Sequence, residues 1–558
     1  MNLINATTKK LDVLPFVKKY MEQLDIYNIF KKYIPKPDRC PVEPAQILSI
    51  MIMNIVCAAH PLYKIEEWIG EYTDGLVEDS MNAANYNDDQ LGKNLDRLFG
   101  VDRNSLMAEL ASKAIQVFEL EINRIHNDST SITFSGAYKF DDPQTVKLTQ
   151  GFNKDHRPDL KQIVFGLNIT ADGHVPLSFQ LFDGNRTDDT THIPNWNGLR
   201  SLLEKDDFVY VADCKLCSME NMAHIADNGG SFITILPKNR IDVKLFYERL
   251  KTEPIPWQDA YIVENTRKKG EFVVYRTYES GANKQGYRII WVHSSAKEKM
   301  DKKRRADKIA KIEQKLQELS ADINRYYLKT EEQINAAIVK ICKGGKDFIK
   351  VQLIENKELI RTQVKPGKPG PNTKHRETEK ITFRIQWEID QNSIEKISKT
   401  DGVFPLITNT EIKAAEVLRM YKEQPYLEKR MYTTKSILNV APVFLKLPKR
   451  IEAMTFLYFI GLMIVSLIER NIRHNMIEDK IERLPILPNG MYTKTPTFNN
   501  IKYFFRNVHL SIINDTANVI RTTVKGVTKT HRLILTLLGV PDFTYLTLKD
   551  KWWNFQGT

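Results

Sequence analysis

One stretch of alternating strand and helix patterns, residues 122–237, restricts the fold of this chain more than any other feature. Three apolar segments at its start are predicted strands, and the last two, residues 160–170 and 174–182, flank an Asp-Gly pair that is typical of a tight hairpin turn. A helix, a strand, a second helix and a further strand follow. This order predicts a mixed sheet covered by helices, and in such sheets the ends of strands carry the chemistry.

Composition indicates a folded, basic protein. The 558 residues include 81 Lys and Arg against 69 Asp and Glu, a net charge of +12. Hydrophobic residues make up 42% and aromatic residues 10%, which excludes a disordered chain and provides for a large core. The basic excess favours a polyanionic partner, most simply nucleic acid, although the same charge spread over a large surface would serve solubility alone.

Cysteine usage and the apolar segments favour a cytoplasmic protein. Five cysteines fit no disulfide framework, and Cys214 and Cys217 lack the further ligands that a zinc site needs. The N-terminus lacks the charged and apolar regions of a signal peptide. The most apolar stretch, residues 453–468, is shorter than the roughly 20 residues that span a bilayer, so we expect a buried core helix and no membrane partner.

Residues between 240 and 400 interrupt the alternating pattern, and this block is predicted to be an insertion into the sheet domain. Two strands give way to a long charged helix with a heptad seam, and a basic loop spans residues 365–376. The seam consists of Ile309, Ile312, Leu316, Leu319, Ile323 and Tyr326. This seam would form a contact between two copies of the chain, or it would pack within one copy against a second helix, residues 334–341, folded back on it.

Three carboxylates lie where a metal-dependent site for phosphodiester chemistry would need them. Asp128 and Asp213 are at the tips of predicted strands, although a single Asp at such a place is more often a turn or cap residue. Glu428 lies on a predicted helix that begins near Pro425, because proline is tolerated in a first helical turn. Carboxylates from two strands and one helix would suit two Mg²⁺ ions, which prefer oxygen ligands and activate a water or a 3′-hydroxyl.

The spacing around Glu428 resembles a family signature. The DDE transposases of the bacterial insertion-sequence-four superfamily carry the pattern Tyr-x2-Arg-x3-Glu-x6-Lys. The matching positions here are Tyr421, Gln424, Glu428 and Lys435, with Gln in place of Arg. We expect Glu428 and Lys435 to share one helix face, with the other two residues preceding the helix. Further similar stretches occur at residues 127–138, 153–162, 182–192, 211–222 and 442–454, so the resemblance covers essentially the whole chain.

This resemblance implies an α/β fold (mixed α+β) with a ribonuclease-H-like catalytic core that is interrupted by an insertion domain. Helical modules would lie at both ends of the chain. The predicted domains are a helical DNA-binding domain at 1–115, the first half of the core at 116–240, the insertion at 241–400, the second half with the catalytic helix at 401–475, and a helical C-terminal region at 476–558.

The same resemblance implies a DNA transposase that binds the terminal inverted repeats of an insertion sequence, cleaves them and joins them to target DNA. Asp128, Asp213 and Glu428 would form the catalytic and metal-binding triad for two Mg²⁺ ions, with Mn²⁺ able to substitute. The residues expected to contact DNA are Lys435, Tyr421, Gln424, His156 and Arg157. The expected partner is double-stranded DNA, bound by a homodimer at the nucleoid in the bacterial cytoplasm.

Two other functions are compatible with the same residues. One is a DNA-binding regulator without catalytic activity, which an intact triad argues against. The other is a nuclease of the ribonuclease H fold that cuts DNA without strand transfer. Transfer of a cut strand to a second DNA would separate a transposase from such a nuclease.

Overall fold

The computed structural model describes most of the chain, in two compact units. The described residues are 5–38, 40–71, 83–136, 138, 142–153, 157–265, 270–325, 327–364, 366–368, 370–371, 374–437, 445–515 and 518–541. The first unit comprises Met1–Thr234 and Arg419–Thr558, and the second comprises Ile235–Leu418. The second unit includes the whole of the predicted insertion, residues 241–400.

Helices and strands occur together in both units, so the mixed α/β fold class predicted from the sequence is confirmed. The helices are α1 (Leu14–Gln23), α2 (Ile26–Tyr33), α3 (Pro44–Cys57), α4 (Ile65–Glu71), α5 (Asp88–Phe99), α6 (Arg103–Phe118), α7 (His192–Leu203), α8 (Met219–Asp227), α9 (Ile241–Thr252), α10 (Ser295–Asp322), α11 (Glu331–Ile341), α12 (Gln391–Ser398), α13 (Ala414–Tyr421), α14 (Gln424–Tyr432), α15 (Pro448–Glu478), α16 (Phe498–Phe505) and α17 (Lys529–Leu537). The strands are β1 (Asn5–Lys10), β2 (Arg124–Phe134), β3 (Lys161–Thr170), β4 (Pro176–Asp183), β5 (Val209–Val211), β6 (Ser231–Ile235), β7 (Gln258–Glu264), β8 (Phe272–Ala282), β9 (Arg288–Ser294), β10 (Ile349–Gln363), β11 (His375–Ile389), β12 (Val403–Thr408), β13 (His509–Asp515) and β14 (Asn518–Lys525).

The strands of the first unit lie side by side in the order β4-β3-β2-β5-β6. β3 is antiparallel to both β2 and β4, whereas β5 is parallel to β2 and β6 is parallel to β5. The predicted hairpin between β3 and β4 is confirmed, and Gly173 in its turn has a φ of +69°, which suits a residue without a Cβ. β3 is buried from Gln162 to Thr170, as expected for a strand that is covered on both faces.

The most apolar helix, α15, lies in the core of the first unit. By length and composition it could cross a membrane, as could the bent pair Pro44–Cys57 and Leu62–Gly70 if it were one span, among the residues that the structure describes. However, 94% of the most apolar window of α15 is buried inside the protein. A buried core helix over residues 453–468 was the sequence-based prediction, and it agrees with this position.

The two ends of the chain are less purely helical than the sequence suggests. β1, at the start of the predicted helical N-terminal domain, is antiparallel to β13 with Asn5 opposite Asn514. β13 in turn pairs with β14 in the predicted helical C-terminal region. The three strands form a separate sheet, which neither segment could complete alone, and this dependence explains why the local pattern did not reveal it.

The second unit contains the antiparallel strands β12-β9-β8-β7 in that order. β12 therefore belongs to this unit, although residues 401–475 were predicted to be the second half of the core. The long helix α10 and the shorter α11 pack together, as predicted for residues 334–341. Beside them β10 and β11 form a hairpin of fifteen residues on each strand, from Ile349 opposite Ile389 to Gln363 opposite His375.

The heptad seam of α10 is used inside this unit. Ile312 and Leu316 are buried in a hydrophobic cluster with Ile334 of α11 and Ile385 of β11. The seam residues Ile309, Leu319 and Ile323 belong to the same cluster, and Tyr326 lies outside the described residues. Because these side chains are already buried within one copy, the seam does not provide a surface for a second copy.

Candidate active site

Two of the predicted catalytic aspartates come from neighbouring parallel strands of the first unit. His126 of β2 pairs with Val211, the last residue of β5, and Asp128 and Asp213 each follow two residues later. Asp213 lies just beyond its strand, whereas Asp128 lies within β2 and not at a strand tip as predicted, because β2 continues beside β3 as far as Phe134. Adjacent strands lie about 4.8 Å apart, so both aspartates are close to the point where the β2–β5 pairing ends. Both side chains are partly buried.

Backbone and hydroxyl groups orient both carboxylates. The backbone N–H of Ser129 donates to Oδ1 of Asp128 at 2.7 Å, and the Ser129 hydroxyl donates to Asp188 at 2.6 Å. The N–H of Lys215 donates to Oδ1 of Asp213 at 2.9 Å. Asp188, from the turn after β4, is thus bonded to the residue that follows Asp128 on β2. From the sequence, Asp188 is expected only to shape that turn, because an Asp in a polar turn is most often a turn residue.

The third carboxylate, Glu428, is exposed on α14, and the start of this helix is tied to β2. The Gln424 Nε2 donates to the carbonyl of Asn127 at 2.7 Å, and its Oε1 lies 3.0 Å from Nδ1 of His126, which donates to it. One residue earlier, Glu423 forms an ion pair of 2.7 Å with a β2 arginine. Since these β2 residues directly precede Asp128, the contacts set the position of Glu428 relative to the aspartates.

The phenol of Tyr421 lies in the field of all three predicted carboxylates. Burial is the main cause that raises the pKa of Tyr421 far above its usual value, and the negative charges of Asp213, Cys214, Asp128 and Glu428 raise it further. Tyr421 ends α13 and so precedes α14, as predicted. Among the residues of the predicted site, Asp213, Asp128 and Glu428 therefore all add to the effect of burial on this one hydroxyl.

The donor chemistry at this point suits a hard divalent cation. Carboxylate oxygens are the ligands that Mg²⁺ prefers, and the three candidates lie within β2, just after β5 and on α14. Within the described part of the chain, however, no three His, Cys, Asp or Glu side chains are grouped closely enough to hold a metal ion as they stand. The residues therefore fit the metal in type, but they do not form a preassembled site.

The structure changes the expected role of Gln424. Its side chain is buried, at 9% exposure, and both ends of its amide bond to β2, so a direct contact to DNA phosphate is wrong for this position. The signature arginine is replaced by a residue that joins helix and strand. Sequence spacing alone could not distinguish these roles, because burial depends on the packing of α14 against β2.

Lys435 lies beyond the end of α14. The α-helix stops at Tyr432 and the chain continues as a π-helical turn, Thr433–Ile437, so Lys435 and Glu428 do not share one face of a single α-helix as predicted. Lys435 is partly exposed. Single π-helical turns occur frequently at functional sites, where they redirect a side chain.

The remaining predicted DNA contacts lie in the loop before β3. His156 is outside the described residues. Arg157 is exposed and pairs with Asp159 through two hydrogen bonds of 2.9 and 2.7 Å. β3 begins opposite Phe134, six residues beyond Asp128 on β2, which corresponds to about 20 Å along the strand. The structure does not bring Arg157 into the group around Tyr421.

A buried polar network lies beside the aspartates. Asn127 donates to Asn168 at 2.9 Å, and Asn168 and Asn195 exchange hydrogen bonds of 2.7 and 2.8 Å. Asn195 also donates to the hydroxyl of Tyr210, which receives a second contact from His192. Asn168 within the otherwise apolar run of β3 is the sequence signal for this network.

The β3–β4 turn supports α14 from the other side. Arg430 of α14 is buried and donates to the carbonyls of Gly173 and His174, each at 2.9 Å, and to Glu469 of α15 at 2.7 Å. The His174 ring stacks on Tyr426 with centroids 4.1 Å apart. Burial, together with the charge of Arg430, lowers the pKa of His174 to about 3, so its imidazole is neutral at pH 7.

Comparisons with known proteins give limited information. Residues 6–112 are similar to a family described as a domain of unknown function, DUF4277. No curated protein matches the chain. Among solved structures, one match is a piggyBac transposase synaptic complex with hairpin DNA, at 10% identity and a TM-score of 0.26, over 51% of this chain and 59% of that chain. At such a TM-score the likeness carries no argument about the fold or the function.

Proposed function

We propose that this protein is a DDE transposase with a ribonuclease-H-like core, acting on the ends of an insertion sequence. The observation that carries the proposal is that the parallel register of β2 and β5 ends two residues before Asp128 and Asp213, while Gln424 connects the helix of Glu428 to the residue before Asp128. The strand order β4-β3-β2-β5-β6, with its antiparallel and parallel halves, agrees with the ribonuclease-H-like core that the resemblance implies.

The proposed substrate is double-stranded DNA, cut at the 3′ ends of the element and joined to target DNA. Asp128, Asp213 and Glu428 would hold two Mg²⁺ ions, which when bound supply Lewis acidity for the attack of water or a 3′-hydroxyl on a phosphodiester. In-line displacement leaves a 3′-hydroxyl and a 5′-phosphate at each cut. Transfer then exchanges one phosphodiester bond for another, without an external energy source.

The other residues of the site position these groups. The backbone N–H of Ser129 orients Asp128, its hydroxyl donates to Asp188, and the backbone N–H of Lys215 orients Asp213. Gln424 connects α14 to β2 and so sets the approach of Glu428. Tyr421, which is largely buried, keeps its proton at neutral pH because its pKa is raised, and its hydroxyl would donate to a phosphate oxygen. Lys435, in the π-helical turn, would contact a neighbouring phosphate.

The test is cleavage and strand transfer with the DNA that borders the coding region, in the presence of Mg²⁺. The wild type should nick these ends and join them to a supercoiled plasmid, whereas Asp128→Asn, Asp213→Asn and Glu428→Gln should bind DNA and fail to cut it. Asp307→Asn, an exposed position on α10, is the matched control. Binding without cleavage by the wild type would indicate a regulator, and cleavage without joining would indicate a nuclease.

A further inference from the structure

The β10–β11 hairpin of the second unit extends well beyond the hydrophobic cluster that anchors it. Its base contributes Ile349, Phe383 and Ile385 to that cluster. Eight further residue pairs follow, from Asn356 opposite Thr382 to Gln363 opposite His375, and at about 3.4 Å per residue they cover roughly 27 Å. All sixteen of these residues are exposed or only partly buried.

The two faces of this outer ribbon differ in charge. Side chains alternate between faces along a strand, and directly opposite residues share a face. The odd-numbered face carries Lys357 and Arg361 against two acids, and both cations form ion pairs there, with Glu379 at 3.8 Å and Glu377 at 3.4 Å. Its charge is therefore largely neutralised.

The even-numbered face carries the basic excess. Arg376 and Lys380 lie on it, and Lys374 follows in the same alternation, because its carbonyl accepts from Val364 and so continues the ladder. Glu358, directly opposite Lys380, is the acid on this face among the sixteen outer residues. In addition, the sequence from Arg361 to Arg376 contains five Lys and Arg and no Asp or Glu. The even face therefore has the larger positive charge of the two faces.

We infer that this ribbon is a DNA-binding arm whose even-numbered face lies in the major groove of duplex DNA. A groove about 12 Å wide accommodates a two-stranded ribbon in undeformed B-DNA, whereas proteins that bind in the minor groove, about 6 Å wide, frequently kink the duplex. Arg376 and Lys380 contact the flanking phosphates. The outer ribbon of about 27 Å spans most of one helical turn of roughly 34 Å.

The inference rests on the proposed function, since it takes duplex DNA as the partner, yet it is tested by binding and not by cleavage. Two double variants of equal charge change are compared, Arg376→Gln with Lys380→Gln on the even face, and Lys357→Gln with Arg361→Gln on the odd face. All four side chains are exposed, and matching thermal melting temperatures establish that both variants are folded.

The probe is a labelled 30-base-pair duplex of arbitrary sequence, with affinity measured by fluorescence anisotropy against salt concentration without Mg²⁺. The even-face variant should make the negative slope of log K against log salt shallower by about 2, because each lost phosphate contact accounts for about 0.9. It should also weaken binding at least tenfold at 0.1 M salt. The odd-face variant should change the slope by less than 1. Methyl green, which occupies the major groove, should compete with the wild type.

Equal effects of the two variants, unchanged binding in both, or a wild type that does not bind the duplex would overturn the inference. Vesicles containing phosphatidylserine serve as a second polyanion, and an equal dependence of vesicle binding on the even-face cations would also overturn it. If the even-face cations govern duplex binding but the protein does not cut element ends, the arm stands and the proposed transposase activity falls. If the protein cuts and joins element ends while both variants bind the duplex normally, the proposed transposase activity stands and the DNA-binding arm falls.

Discussion

The side-chain amide of Gln424 donates to the backbone carbonyl of Asn127 at 2.7 Å and thereby connects the first turn of α14 to the residue before Asp128. This one buried contact between α14 and β2 thus positions Glu428 on the helix relative to Asp128 on the strand. The family signature has an arginine at this place, where this chain has a neutral amide that fits between β2 and α14.

Replacing Gln424 with Ala should lower the cleavage rate by about 10²-fold, because a displacement of about 1 Å of a catalytic group costs roughly that much. The Kd for duplex DNA should change by less than about threefold, since the side chain is buried away from DNA. Single-turnover cleavage and anisotropy measure the two quantities, with Gln314→Ala on α10 as the control. A weakened Kd with a normal rate would assign Gln424 to DNA contact instead.

Ser129→Ala should raise the Mg²⁺ concentration that gives half-maximal cleavage by about tenfold. The hydroxyl donates to the Asp188 carboxylate, and loss of such supporting hydrogen bonds typically costs 10- to 100-fold in metal affinity or activity. Thr133→Ala, on the same face of β2 as Ser129 but about 14 Å further along the strand, should leave the Mg²⁺ requirement unchanged. A normal Mg²⁺ titration for Ser129→Ala would contradict this supporting role.

Arg430→Met should reduce the free energy of unfolding of the protein by about 3–5 kcal/mol, because it leaves the buried Glu469 without its closest cation. Urea unfolding followed by tryptophan fluorescence measures the change. Arg200→Met, which removes an exposed ion pair with Asp206, should cost less than about 1 kcal/mol. Similar losses for both variants would show that the burial of Arg430 has no energetic consequence.

His174 should make the protein less stable in mild acid. Its pKa is about 3 in the folded protein, held down by burial and by the charges of Arg430, His126, Arg473 and Lys429, against an ordinary 6.5. Below pH 6.5 the unfolded chain binds a proton that the folded protein does not, so stability falls by about 1.4 kcal/mol per pH unit as the pH decreases toward 3. Above pH 6.5 the group has no effect.

The variant His174→Asn tests this dependence, because Asn tolerates the positive φ of 56° at this position. Between pH 6.5 and 5 it should lose about 2 kcal/mol less stability than the wild type. Urea unfolding at a series of pH values measures the difference. Parallel curves for the two proteins would exclude His174 as the responsible group.

Local patterns in the sequence identified much of the first unit. The alternation over residues 122–237 predicted the strands that carry Asp128 and Asp213, and the Asp-Gly pair predicted the β3–β4 turn. Pro425 correctly marked the start of α14. These features depend on backbone preferences and hydrophobic periodicity, which act between residues that are close along the chain.

Contacts between distant segments could not be predicted in this way. The β1–β13 pairing joins residues about 500 positions apart, and the Gln424–Asn127 contact joins residues 297 apart. The change of Gln424 from an expected DNA contact to a buried connector, the asparagine network around Asn168 and the inward use of the heptad seam all depend on such packing.

The sequence by itself determined which residue types were available for catalysis and on which elements they lie: two aspartates on neighbouring strand segments and a glutamate on a helix that begins near Pro425. Only the tertiary structure decided that Asp128 lies within β2 and not at its tip, that Asp188 is bonded to Ser129, and that one face of the β10–β11 ribbon is more basic than the other. The physical reason is that strand register, burial and cross-strand pairing are set by interactions between segments, which no local pattern encodes.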